Sequence, residues 1–118
     1  MSRTYEQLAN LDRIVHEPVR LAILTALSAC VAADFGFLKR VIGLTSGNLN
    51  THLATLKAAN LVVLTKRFEG TTPQTLVSLS DLGRRTIEGH WEQLAALRKE
   101  ARSTRMKNPR FLRRVPTG

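Results

Sequence analysis

Residues 43–63, which read GLTSGNLNTHLATLKAANLVV, constrain the fold more than any other stretch of the chain. Leu49, Leu53 and Leu56 recur at i, i+4 and i+7, which is the spacing of one apolar stripe on an α-helix. The opposite face carries small, uncharged residues, whereas a solvated helix usually has Glu and Lys there: Gly47, Asn50, Thr51 and Ala54. The pattern predicts a helix over Ser46–Ala59, N-capped by Thr45, that packs through its leucines and can insert its outer face into a groove.

The residues before this helix predict two more helices. Pro18 suits the first turn of a helix, because its missing N–H needs no partner there, and apolar spacing extends the helix to about Val31. Asp34 is a suitable N-cap for a short helix over Phe35–Ile42, which Gly43 ends. Two helices joined by a short turn that contains glycine have the spacing of a DNA-binding helix-turn-helix.

The residues after the helix predict a β-hairpin. Asn60 can adopt the left-handed conformation that ends a helix. Leu61–Thr65 is rich in β-branched residues, Phe68–Pro73 has the composition of a turn, and Thr75–Leu79 is the predicted returning strand. A hairpin that directly follows a helix-turn-helix is a wing. The predicted fold class is therefore mainly α with a small β-hairpin wing (α+β), a winged helix-turn-helix.

The two ends of the chain are predicted to be helical next to the domain. Thr4–Val15 forms a short amphipathic stretch, and Ser80 caps a last helix that runs from Asp81 to about Ala101. The apolar face of this last helix either belongs to the core or meets a second copy, and we favour the second copy: Trp91, Leu94 and Leu97. Residues 1–102 are accordingly interpreted as a winged-helix domain with terminal dimerisation helices.

The positive charge of the chain is concentrated at its C-terminal end. The formal net charge is +9, of which residues 98–114 contribute +7 and residues 1–97 only +2. A strongly basic segment favours a polyanion partner, most often nucleic acid. The alternative is that the basic segment has no partner and only makes the protein more soluble. We expect residues 103–118 to form a flexible tail that becomes ordered only on a partner.

Several classes of protein are not expected. Cys30 is the only cysteine, so no intramolecular disulfide and no cysteine metal cluster can form. His16, His52 and His90 have no partner at ligand spacing, and we expect no metal and no cofactor. No nucleophile–base pair, phosphate-binding glycine loop or carboxylate pair indicates an enzyme. Without a long apolar run or a signal sequence, the expectation is a cytoplasmic protein with no membrane partner.

The candidate DNA contacts lie on the central helix and the wing. Short hydrogen-bonding side chains at a helix N-terminus can meet phosphates and base edges together, and cations on a wing can meet phosphates. The candidates on the helix are Thr45, Ser46, Asn48, Asn50, Thr51, Thr55 and Lys57. Those on the wing are Lys66, Arg67, Thr71, Thr72 and Gln74. The alternative is that both are ordinary solvent faces. His52 is interpreted as a structural hydrogen-bonding residue rather than a reader of bases.

Four stretches together resemble a known family: LDRIVHEPVRLAIL, DFGFLKRVIGLTSGNLNTHLATLKAANLVV, FEGTTPQTLVSLS and DLGRR. Over about residues 10–97 they look like the short, single-domain MarR/ArsR-like winged helix-turn-helix transcriptional regulators of bacteria. The resemblance implies a homodimer on a pseudo-palindromic operator, with Ser46–Ala59 as recognition helix and the terminal helices as dimer contact. It departs from the family at the wing tip, where Thr71 and Thr72 stand in place of a basic residue, and at Asn60, where glycine is usual.

The sequence therefore predicts a homodimer that binds specific sites in double-stranded DNA and regulates transcription, with repression favoured. Residues 46–59 would enter the major groove, while residues 66–74 and the basic tail would contact the backbone. Two alternatives remain open at this point. One is an architectural protein that binds nucleic acid without regard to sequence, and the other is a protein-interaction module that binds no DNA. No residue pattern indicates a small-molecule effector.

Overall fold

The computed structural model describes residues 12–107, and the side chains of residues 12–104. The chain divides into two compact units after Ile87. Residues 12–15 are helical, and seven further elements follow in chain order. They are α1 (Pro18–Ser28), β1 (Ala33–Asp34), α2 (Phe35–Ile42), α3 (Ser46–Ala58), β2 (Val62–Glu69), β3 (Thr72–Leu79) and α4 (Asp81–Lys107). The predicted winged helix-turn-helix is confirmed. Residues 4–11 of the predicted N-terminal helix lie outside the described residues.

Helix α1 begins where proline predicts and ends earlier than predicted. Its N-cap is Glu17, whose carboxylate accepts a hydrogen bond from the Arg20 N–H at 2.8 Å. The helix ends at Ser28 rather than near Val31, which is 94% exposed. The N–H groups of Ala29 and Cys30 donate to carbonyls three residues back, and such tightened bonds close a helix. The extension to Val31 was therefore wrong.

The helix-turn-helix has the caps that its sequence predicts. Asp34 accepts from the Phe37 N–H at 3.3 Å, and Gly43 ends α2 with a φ of 80°. Thr45 caps α3 by accepting from the Asn48 N–H at 3.2 Å. Asn60 has the predicted left-handed conformation, with a φ of 62°. Helix α3 ends at Ala58 with Ala59 as its C-cap, one residue short of the predicted end.

The wing is a longer hairpin than predicted. Its strands pair without interruption out to Glu69 and Thr72, so the turn contains only Gly70 and Thr71 instead of Phe68–Pro73. One left-handed residue suffices to reverse the chain, and Gly70 supplies it with a φ of 65°. The β-branched threonines around it suit a strand and do not need a loop.

A third strand, which the sequence analysis missed, completes the sheet. β1 pairs antiparallel with β3 through Ala33 and Asp34, which gives the strand order β1-β3-β2. Two residues are too few to show an alternating pattern, so the sequence carries no signal for β1. Asp34 thus ends a strand and caps α2 at the same time.

The core lies in the first unit and is apolar. The predicted leucine stripe of α3 is confirmed, because Leu49, Leu53 and Leu56 are at most 1% exposed. They pack with residues from every other element of that unit: Val15, Ile23, Leu24, Leu27, Ala33, Leu38, Leu61, Val62, Val77 and Ile87. None of the residues described as buried is polar or charged. The core therefore fixes α3 by one face and leaves its opposite face outside.

Helix α4 is longer than predicted. It continues to Lys107, six residues past Ala101, and takes in the first five residues of the predicted tail. Residues 102–107 have good helix propensity on the whole, and the next proline is Pro109. Residues 108–118 of the tail lie outside the described residues. No helix within residues 12–107 combines the length and apolarity that crossing a bilayer requires.

Candidate nucleic-acid interface

The outer face of α3 is open along its whole length. Six of the seven residues predicted to contact DNA from this helix and its cap are exposed, and Thr55 is half-buried. A methyl group placed on Gly47 would meet no atom within 4 Å. Among the described residues, the side-chain amides of Asn48 and Asn50 have no hydrogen-bond partner. Both amides are therefore available to donate to and accept from an external group.

Two threonines on this face have already used their hydroxyl protons. The Thr51 hydroxyl donates to the Gly47 carbonyl at 3.0 Å, and the Thr55 hydroxyl donates to the Thr51 carbonyl at 3.3 Å. What they can still offer is a methyl group and oxygen lone pairs. A threonine methyl is suited to apolar contact with the C5-methyl of thymine. The two asparagines are accordingly the hydrogen-bonding part of this face.

The N-terminus of α3 has a cation beside it. The Lys39 ammonium, on the last turn of α2, donates to the Ser46 hydroxyl at 3.3 Å. A helix N-terminus already carries a partial positive charge and free N–H groups. The turn between α2 and α3 therefore brings Lys39 directly to the start of the helix.

The wing residues that are predicted to contact DNA lie on two opposite faces of the hairpin. Strand side chains alternate in direction, so the adjacent residues Lys66 and Arg67 point to opposite faces. Arg67 lies opposite Gln74 and donates to its side-chain oxygen at 2.8 Å. Thr72 shares that face, while Lys66 lies opposite Thr75 on the other, and Thr71 lies in the turn. Thus only part of the predicted wing set can meet one surface at a time.

The wing tip has two features that the sequence analysis did not weigh. Phe68 is 71% exposed and lies opposite Pro73, which forms an apolar pair on the Lys66 face. Glu69 places a negative charge on the Arg67 face, next to the turn. Because strand side chains alternate in direction, counting from the buried Val62 would predict which residues share each face of the hairpin, provided that the length of its strands is known.

His52 joins α3 to the start of α1. Its Nδ1 lies 3.4 Å from an Arg20 guanidinium nitrogen and 3.6 Å from a Glu17 carboxylate oxygen. Burial raises the pKa of the Glu17 carboxyl, but the N–H groups of Arg20 and Val19 and the nearby charges outweigh it and hold that pKa below its ordinary value. Glu17 is therefore ionised at neutral pH. His52 has the structural surroundings that the sequence predicted for it.

The basic segment of the second unit is a helical surface over its described part. Arg98 and Arg102 lie four residues apart on one side of α4, with Lys99 beside them, and all three are exposed. Within residues 12–107, no cluster of three His, Cys, Asp or Glu residues could hold a metal ion.

Comparisons with known proteins agree with this geometry. Residues 19–97 match the model of a family described as winged helix DNA-binding domain. An uncharacterised protein of Methanocaldococcus jannaschii is 28% identical over 87 residues, which cover 74% of this chain and 95% of that protein. A transcriptional regulator homologue from Pyrococcus horikoshii superimposes with a TM-score of 0.71 at 29% identity, covering 86% of this chain and 98% of that one.

A third comparison concerns the fold alone. A homodimeric winged helix-turn-helix domain from Mycobacterium bovis, described as a possible ArsR-family regulator, superimposes with a TM-score of 0.62 at 21% identity. The match covers 80% of this chain and 82% of that one.

Proposed function

The chain belongs to the winged helix DNA-binding domain family, and we propose that it is a homodimeric transcriptional regulator that binds a pseudo-palindromic DNA site. The observation that carries the proposal is the division of α3 into a buried leucine stripe and an open, uncharged outer face. A helix held in this way can lie in the major groove with its N-terminal residues against base edges. No enzymatic step is part of the proposal.

In this proposal, α3 supplies discrimination between sequences. Asn48 and Asn50 would pair with adenine edges, and the Thr51 methyl would contact thymine. The remaining residues of the helix and its cap would hold phosphates or flank the bases: Thr45, Ser46, Thr55 and Lys57. Because no cation lies on α3 before Lys57, most of the electrostatic affinity must come from elsewhere.

The wing and the basic segment would supply that affinity. The Arg67 face of the wing, with Thr72 and Gln74, and the separate Lys66 would contact the backbone on either side of the hairpin, with Thr71 at the tip. Such contacts position a protein on DNA without reading its sequence. The tail after Lys107 would add further phosphate contacts.

The second copy would cover the apolar face of α4. Trp91, Leu94 and Leu97 are 43%, 44% and 61% exposed, respectively, so they do not belong to the core that the described residues form. A row of large apolar side chains at helical spacing on an exposed helix is typical of a helix–helix contact. The M. bovis domain is a homodimer with the same fold. Residues 12–15 and the preceding segment would extend the dimer contact.

In-vitro selection from random-sequence duplexes tests the proposed function. We expect an enriched palindrome whose half-sites lie about one helical turn apart, since each subunit would place one α3 in the major groove. Binding without enrichment would favour an architectural protein. Absence of binding even at low salt, together with a stable protein complex in a pull-down, would favour an interaction module. Repression is the proposed sign, because occupation of a promoter suffices to block transcription, and a reporter gene behind the selected site tests it.

A charge variant of α4 tests the role of its basic segment. We expect replacement of Arg98, Lys99 and Arg102 with glutamine to make the dependence of log K on log salt less steep by up to about 2.7 for each subunit, or about 5.4 for the proposed dimer, since each phosphate contact contributes about 0.9. The measurement is fluorescence anisotropy on the selected duplex in rising salt. Glu92→Gln, on the same helix, is the control and should keep the original slope. An unchanged slope in the triple variant would show that this helix does not touch DNA.

A further inference from the structure

Arg20 connects three separate stretches of the first unit. Its Nε donates to the Ile14 carbonyl at 2.7 Å, and its backbone N–H donates to the Glu17 carboxylate at 2.8 Å. One guanidinium nitrogen lies 3.4 Å from His52 Nδ1 on α3. The Arg20 and His52 side chains are only 18% and 21% exposed, so solvent screens their interaction less than it would a surface pair. The position of α3 is thus linked to the N-terminal turn through one side chain.

His52 lies on α3 between the open outer face and the buried leucine stripe. The residue before it, Thr51, is on the open face, and the residue after it, Leu53, is fully buried. A change in the contacts of the His52 ring therefore changes the position of the helix that carries Asn50 and Thr51. The buried leucines keep α3 packed on the core, but apolar packing has no directional preference. The polar contacts of His52 to Glu17 and Arg20 depend on direction, so they also fix the orientation of the helix.

His52 Nδ1 has two possible partners of opposite charge, the N-cap Glu17 and Arg20 in the first turn of α1. A neutral ring with a free Nδ1 lone pair accepts from the Arg20 guanidinium. A protonated ring donates from Nδ1 to the Glu17 carboxylate, 3.6 Å away, and repels Arg20. β2 also packs on α3, and its buried residue Val62 has no charge.

We propose that Arg20 and His52 are positioning residues, and that protonation of His52 exchanges its partner from Arg20 to Glu17 and lowers the sequence preference of DNA binding in acid. The proposal rests on the proposed function of α3. Discrimination between sites is strongest when Arg20 holds both Ile14 and His52.

Protonation has a second effect, which the experiment must separate from the first. A positive charge on α3 strengthens attraction to every DNA sequence, whereas a displaced helix weakens only contacts to bases. The ratio of affinities for the selected duplex and a scrambled duplex of equal length cancels the general attraction. We expect this ratio to fall about fivefold between pH 8 and pH 5.5, at the lower end of coupling between linked sites.

The experiment measures this ratio by fluorescence anisotropy at constant ionic strength. His52→Gln has an amide that does not titrate, so its ratio should be the same at both pH values. His90→Gln lies in the second unit and should keep the fall seen in the unmodified protein. Arg20→Lys keeps the charge but lacks the planar fork that reaches two acceptors, so its ratio should be lower at pH 8 and change less with pH. A fivefold fall that persists in His52→Gln would overturn the proposal.

A second readout is independent of DNA. NMR titration of the unmodified protein follows the His52 ring together with the backbone amides of α3. If these amides shift with the His52 midpoint, the exchange of partners exists even where site selection has returned no DNA site, and only the proposed function fails. If the amides do not move with His52, the exchange is refuted whether or not the protein binds DNA. Because this NMR titration uses the unmodified protein, it still tests the exchange of partners if His52→Gln does not fold.

Discussion

Replacement of Gly83 with alanine is expected to destabilise the protein by about 3 kcal/mol. A Cβ on Gly83 would lie 2.0 Å from the Leu61 carbonyl oxygen and 2.9 Å from its carbon. These atoms belong to the backbone and cannot rotate away. Leu61 is itself held, because its N–H donates to Leu56 and its carbonyl accepts from the Ser80 N–H at 3.0 Å. The first turn of α4 would have to lift off the end of α3.

Chemical denaturation of the two glycine variants of α4 measures this effect. Gly89 is the matched control, because it lies in the same helix and a Cβ there would meet no atom within 4 Å. Gly89→Ala should stabilise the protein by about 0.5–1 kcal/mol, which is the helix propensity difference between the two residues. If the two variants have equal free energies of unfolding, the close approach of α4 to Leu61 is wrong.

Replacement of both Asn50 and Thr51 with alanine is expected to remove most of the preference for the selected site while leaving weak binding to all DNA. A good bidentate pair with a base contributes about 1–3 kcal/mol of discrimination, and the proposed dimer carries Asn50 twice, so we expect a loss of at least about 30-fold in the affinity ratio. Both side chains are exposed and contribute nothing to the core. Alanine also favours the helix, so the variant should fold normally.

The measurement compares the selected duplex with a scrambled duplex by anisotropy. Gln93→Ala is the control, because it removes an exposed amide that is not among the proposed DNA contacts. It should keep the affinity ratio of the unmodified protein. A double variant that keeps the affinity ratio of the unmodified protein would show that α3 is not the reading helix, even if the protein binds DNA.

Much of the first unit follows from local sequence. Asp34 and Thr45 accept hydrogen bonds from N–H groups three residues ahead of them, and Gly43 and Asn60 adopt the left-handed conformation that ends a helix. Each of these depends on the residue and its immediate neighbours, and each was predicted. The leucine stripe of α3 was predicted for a similar reason, because periodicity determines which face is buried once a helix forms. The open face of the candidate site follows from the same periodicity.

The predicted ends of the wing strands and of α4 were wrong because the local signals for a turn or a helix end were weak or competed with other signals. Glycine, threonine and proline around Gly70 indicated a long turn, but paired strands extend almost to the glycine because cross-strand hydrogen bonds stabilise residues with β propensity. The helix α4 continues past Ala101 because no strong helix breaker stops it there. In both cases the element is of the predicted kind and only its ends differ.

The sequence by itself determined the order of the helices and of the two wing strands, the caps of α2 and α3, and the buried and open faces of α3, because all of these depend on residues a few positions apart. Only the tertiary structure decided that Asp34 pairs with Leu76, that Gly83 meets Leu61 and that Arg20 reaches both Ile14 and His52. Several of these contacts join residues more than 20 positions apart. Nothing in local propensity or periodicity specifies them, since they arise only when the shared core brings the elements together.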